Sequence, residues 1–293
     1  MIKRVLLCFE PGHFPLYPYA NDFVFSLLFN PLVYGECDLE VYVKHLGMNG
    51  KYYALNLSDE RLDEYDLIII PHGKKIRLTN QASPSIIKYL ENNGGLLAVQ
   101  LMDMNGDIPY NLKKMLGVKY EGKINPVPYY STLVRSDFTR ITGLSSGESA
   151  YPHICSLEQI KKPIFSQNMV TRSFLEYDKE IFYQKFSLLN AEVLTLIDKD
   201  PDLIISKDYK FAAFTTDVFH DLIGYAFHPR FSDYTRSLSL LTINVIRYLL
   251  GIETLKQPLP INRYRLYKYL GSHGCLLYTS DAADELDGVD LGG

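Results

Sequence analysis

The sequence predicts a single three-layer α/β domain with a mostly parallel sheet and a peripheral insertion. Two observations carry this. Asp66–Gly106 reads as strand, helix, strand, the pattern of a parallel crossover. The chain also opens with alternating β and α segments, digresses into an irregular stretch, and returns with one strand and one helix. The expected boundaries are 1–252 for the domain, with the insertion at about 145–202. Residues 253–270 read as the start of a truncated C-terminal extension and 271–293 as a non-native tail.

In the central unit, Leu67–Ile70 is short, β-branched and uninterrupted, as expected of a strand buried on both faces. Pro71-His72-Gly73 is a turn signal. Ser83 before Pro84 reads as an N-cap and first-turn pair, with Ile86, Ile87 and Leu90 on one helical face. Asn93-Gly94-Gly95 stops that helix, a glycine being available for a left-handed cap. Leu96–Leu101 is the second buried strand.

Upstream, Lys3–Phe9 is the first strand, and a proline-stiffened loop follows it. Residues 23–32 suit a helix capped by Asn21 or Asp22. Leu39–Val43 reads as a strand or as the end of a long first crossover, and Tyr52–Leu57 as a strand, with a turn at Gly47–Gly50 between them. Downstream, Tyr110–Leu116 is a short helix with Leu112, Met115 and Leu116 on one face, stopped by Gly117. Strand-like pieces lie between Val118 and Arg135, and Ile141–Leu144 reads as a turn. Ala191–Ile197 reads as a strand within the irregular stretch. Leu203–Ser206 and Phe211–Thr215 read as a hairpin turning at Lys207-Asp208. Leu238–Leu250 has helical spacing at Leu238, Leu241, Val245, Tyr248 and Leu249, capped by Gly251.

Composition excludes several classes. The chain has 293 residues, 47% hydrophobic and 22% charged, an ordinary globular balance. No apolar run approaches a membrane span, and the N-terminal run is too short for a signal sequence, so a cytoplasmic protein is expected. Four scattered cysteines fit a reducing compartment and no zinc site. Gly274–Glu285 resembles a translated sequencing adapter, so the segment from Gly271 is set aside. Its five acidic residues and lack of Lys or Arg take the formal charge from −4 to +1. That balance favours neither a basic nor an acidic partner. No nucleic-acid motif, phosphate loop or dinucleotide fingerprint is present, so no cofactor and no nucleic acid are expected.

Several segments, in order, resemble the class I glutamine amidotransferase-like superfamily. Asp66–Gly73 resembles its strand and loop "D, three apolar residues, P-x-G". Tyr89–Leu97 resembles its "Y-V-x-x-G-G-x-L" helix end and strand. Leu116-Gly117-Val118, Arg140–Leu144 and Leu241–Gly251 resemble later turns and the closing helix. The likeness is greatest to trehalose-utilisation-like proteins and the trimerisation domain of some β-galactosidases. It implies a flavodoxin-like fold and a link to carbohydrate metabolism. Active members place a cysteine nucleophile at a tight turn after the strand matched by Leu96–Leu101. Here Met102–Gly106 occupies that turn with no cysteine, and no His-x-Glu pair occurs anywhere in the chain. The resemblance therefore implies a module without glutaminase activity.

Ligands of open α/β sheets bind at the carboxyl ends of the strands. The candidate ligand-binding residues there are Glu10, His13, His72, Gly73, Asp103, Asn105, Asp217 and His220, joined by His228 and Arg230 of a polar-aromatic loop. Glu10, His72, Asp103 and His220 are the catalytic candidates should a carboxylate-histidine hydrolase, with or without a metal, operate at this edge. No metal motif is defined. The basic run Lys74–Arg77 reads as a solvated loop face, with attraction of an anionic ligand as the alternative. The expected partners are a small-molecule ligand, no nucleic acid, no membrane, and a second copy of the chain through the insertion.

Overall fold

The computed structural model describes residues 2–9, 38–71, 76–124, 130–133, 149–152, 182–197, 200–216 and 242–254. The first eight strands are β1 (Ile2–Phe9), β2 (Asp38–His45), β3 (Gly47–Asn49), β4 (Tyr52–Leu55), β5 (Leu67–Ile70), β6 (Ile76–Leu78), β7 (Gly95–Val99) and β8 (Val118–Ile124). They are followed by β9 (Tyr130–Leu133), β10 (Ser149–Pro152), β11 (Tyr183–Leu188), β12 (Ala191–Ile197), β13 (Asp200–Ser206) and β14 (Phe211–Phe214). The described α-helices are α1 (Ala82–Glu91), α2 (Tyr110–Leu116) and α3 (242–250).

Nine strands form one sheet in the order β10-β9-β12-β13-β14-β7-β5-β1-β2. From β2 to β14 every pairing is parallel. Numbered along the chain, these five parallel strands lie in the order 2-1-3-4-5, which is the flavodoxin-like arrangement. The remaining four strands continue the sheet in antiparallel pairs. Of the strands in the irregular stretch, β10 and β12 extend this sheet, while β11 pairs with β8 outside it.

Strand alternation sorts the core into two faces. Leu6, Cys8, Ile68, Ile70, Leu96, Ala98, Phe211 and Ala213 share one buried cluster with Ile86, Tyr89 and Leu90 of α1 and Leu112, Met115 and Leu116 of α2. Val5, Leu7, Leu67, Ile69, Leu97, Val99, Ala212 and Phe214 are equally buried and alternate to the opposite face. On that side a Cβ at Gly95 would stand 3.5 Å from the Leu249 carbonyl of α3. Helices on both faces make the three layers.

The structure corrects several local expectations. Ser83 does not cap α1. The helix starts at Ala82, whose N–H donates to Thr79 Oγ1 at 3.3 Å, so Pro84 sits in the first turn, where no amide hydrogen bond is missed. Asn93, not a glycine, takes the left-handed position after α1, with φ +67°. Gly47–Asn49 is a strand hairpinned to β4 rather than a turn. Tyr248 is 41% exposed, so the buried side of α3 is Ile243, Val245, Ile246, Leu249 and Leu250. Ile76 and Arg77 belong to β6 and are buried, not a solvated face. The expectations for residues 10–37, Ile141–Leu144 and the segment from 255 onward lie outside the described residues.

Candidate functional site

Phe9, Ile70, Val99 and Phe214 end four neighbouring parallel strands on one edge of the sheet. The chain turns at Gln100, immediately after β7. Gln100 has φ +46°, a conformation costing about 1–3 kcal/mol for a residue with a Cβ unless its surroundings fix it. They do so at both main chain and side chain. Its N–H donates to Phe214 O at 2.9 Å. Its Nε2 donates to Phe182 O at 2.7 Å and Thr215 O at 3.2 Å. The side chain is fully buried, and among the described residues Oε1 finds no hydrogen-bond donor. Both carbonyls accept, which fixes the nitrogen toward them and leaves the oxygen as the orphan.

Gln184 braces the next residue, donating from Nε2 to Leu101 O at 3.3 Å, while its N–H donates to Thr215 O at 3.0 Å. Beside them, Asp202 is completely buried and accepts from Thr195 Oγ1 at 3.0 Å, Thr216 Oγ1 at 3.0 Å and Thr215 Oγ1 at 3.3 Å. The Thr195 and Thr216 hydroxyls offset the cost of burying that carboxyl, while the single Thr215 hydroxyl proton is shared with Pro201 O at 3.1 Å. This polar core is a rigid support for the turn.

Among the predicted site residues, Asp103 and Asn105 are described. Asp103 Oδ1 accepts from the N–H groups of Asn105 at 2.9 Å and Asp107 at 3.1 Å, so this carboxylate oxygen builds its own loop. Leu78 N–H donates to Met102 O at 2.9 Å, joining the loop to β6. Glu10, His13, His72, Gly73, Asp217, His220, His228 and Arg230 lie outside the described residues. Of the cysteines, Cys8 is described. It is buried inside β1, and burial pushes its thiol from 9.0 up to about 12.

Sequence reasoning missed Gln100, Gln184, Asp202 and the burial of Arg77. The signal for Gln100 was an amide residue inside the apolar run Leu96–Met102, which the strand assignment absorbed. It also placed the turn two residues late, at Met102–Gly106. No comparable signal marks Asp202, whose threonine partners come from two places in the sequence, Thr195 and the pair Thr215-Thr216. A polar cleft of about 700 Å³ lies at the opposite, amino-terminal edge, lined by Lys3, Asp66, Gly94 and Lys210 among others. Among the described residues, no helix is long and apolar enough to cross a membrane.

No family model and no curated protein matches this chain. Solved structures do. α-L-Fucosidase isoenzyme 2 from Paenibacillus thiaminolyticus matches with a TM-score of 0.51 and 11% identity, covering 86% of this chain and 33% of the fucosidase. A ThuA-like protein from Bacteroides uniformis matches with a TM-score of 0.49 and 15% identity, over 86% of this chain and 92% of that one. A β-galactosidase from Bacillus circulans sp. alkalophilus matches with a TM-score of 0.45 and 12% identity, over 86% and 32%. The chain thus spans about a third of the two glycosidases. At these identities the fucosidase likeness speaks to the fold alone, and the other two are weaker.

Proposed function

We propose that this chain is a non-catalytic glutamine amidotransferase-like module that binds a ligand or assists assembly in carbohydrate metabolism. The observation that carries the first part is Gln100. The turn after the central strand holds an amide where the resembled family needs a thiol, and the amide is locked to two backbone carbonyls. An amide is no nucleophile, and residues 100–106 contain no Cys, Ser or Thr. Cys8 does not substitute, since its buried thiol is neutral at physiological pH.

The carbohydrate link comes from the resemblance of Asp66–Gly73 and Tyr89–Leu97 to trehalose-utilisation-like proteins and the β-galactosidase trimerisation domain. A thermal-shift screen of the full chain against mono- and disaccharides addresses it. A saturable rise in Tm with one sugar is expected. A flat response to every sugar would remove the carbohydrate link and leave assembly. Release of ammonia from glutamine tests the loss of chemistry separately.

A further inference from the structure

The nine-stranded sheet has two ends, and they are built differently. At one end β10 spans four residues, Ser149–Pro152, shifts register against β9 and finishes on a proline. Short length, a register break and proline are devices by which an edge strand discourages further pairing. At the other end β2 spans eight residues, Asp38–His45, and pairs with β1 in unbroken register, with no proline. Among the described residues the β2 main chain bonds β1 alone. Roughly every second N–H and C=O of the strand therefore points outward without a partner strand. Each residue from 38 to 44 is half-buried or exposed, whereas Val5–Cys8 of the adjoining β1 are buried. The lysine that could guard this edge, Lys44, is paired with Glu60.

The charges of β2 are ordered along the strand, with Asp38 and Glu40 preceding Lys44. An antiparallel copy meets this strand with opposite charges facing, whereas a parallel copy in register sets like against like. A two-fold axis at Tyr42 places Glu40 opposite Lys44 twice, Val41 opposite Val43 twice, and Tyr42 opposite its own copy. Strand alternation keeps Glu40, Tyr42 and Lys44 on one face and Val41 and Val43 on the other, so each facing pair matches in character. The polar face is already ordered for this. Tyr42 Oη donates to Glu40 Oε2 at 2.9 Å, and Arg4 Nε donates to the same oxygen at 3.1 Å. The Tyr42 ring meets that of Tyr65 edge-on, with centroids 5.5 Å apart. No hydrogen bond among the described residues uses Glu40 Oε1, which leaves it for an ammonium across the edge.

We propose that β2 is a self-pairing edge, through which two copies of this chain join antiparallel about a two-fold axis at Tyr42 and continue one sheet into the other. The interface stands on this strand and does not depend on the loss of nucleophilic chemistry at Gln100 or on a sugar ligand. Sedimentation velocity of the full chain over a concentration series is the test, and a monomer–dimer equilibrium is expected. The two-fold axis sets residue 42 against itself, so a charge of either sign there is repelled by its own copy. Tyr42→Lys and Tyr42→Glu should each weaken the dimer at least about tenfold. An equimolar mixture of the two variants should recover a one-to-one dimer. Because Tyr42 is 42% exposed, an unchanged Tm verifies that both variants fold. Hydrogen exchange of the wild-type chain tests the edge without any substitution, since residues 38–45 should gain protection as concentration rises. Monomer at every concentration, a dimer indifferent to both substitutions, a mixture that associates no better than its components, or exchange at 38–45 independent of concentration would overturn the proposal. Ammonia release from glutamine moves none of these readouts.

Discussion

At Gln100 the donors of the side-chain amide are used and its acceptor is not. Gln100→Leu keeps the volume, removes the donors to Phe182 O and Thr215 O, and removes the orphan oxygen with them. Thr215 O retains the Gln184 N–H, so the loss falls chiefly at Phe182 O. We expect a destabilisation of about 1–2 kcal/mol, read as a lower urea midpoint. A variant more stable than the wild type would mean that the unmet oxygen outweighs both hydrogen bonds. Cys8 gives a second prediction at this scale. Its folded pKa is raised, so the folded state holds the thiol proton more tightly than the unfolded chain. The resulting stability is complete below pH 9.0 and is lost as pH rises toward about 12. Cys8→Ala should flatten the fall of the urea midpoint across that window, and an unchanged slope would contradict the assignment.

The β5–α1–β7 unit explains why two glycines end its helix. The Tyr89 hydroxyl donates to Tyr65 O at 3.2 Å and accepts from Gly95 N–H at 3.1 Å, so its ring lies flat against the chain reversal. A Cβ on Gly94 would fall 2.3 Å from that ring, and one on Gly95 would fall 2.9 Å from Asp66 O. Gly94→Ala should therefore cost about 1–3 kcal/mol by overpacking. Tyr89→Phe should cost about 1 kcal/mol by losing the two bonds. Combining Gly94→Ala with Tyr89→Ala should be less destabilising than the two single changes added together, since the clash partner has gone. Strict additivity in chemical denaturation would refute the packing account. This unit was legible because its signals are local: a β-branched run, a helical face and an Asn-Gly-Gly stop. Its helix start was misread because Thr79, three residues before Ala82, supplies the acceptor that Ser83 was expected to supply. The helix around Tyr110–Leu116, by contrast, was legible, since its apolar face is local and Gly117, left-handed at φ +78°, ends it.

At the scale of the molecule, the 2-1-3-4-5 order of the parallel strands follows from which buried runs find one another across the chain, and no local pattern encodes it. The same holds for the site. Asp202 meets Thr195, Thr215 and Thr216 through the antiparallel continuation of the sheet. Each of these residues looks ordinary in sequence. The absence of a nucleophile was legible, because residue types at a turn can be read without knowing where the turn falls by one or two positions. The proposed function pairs this fold with a turn that carries no glutaminase chemistry. Ammonia release from glutamine by the full chain tests it most directly. Release no faster than in buffer is expected. Release at an enzymatic rate, abolished by Gln100→Leu under conditions where that variant remains folded, would contradict it.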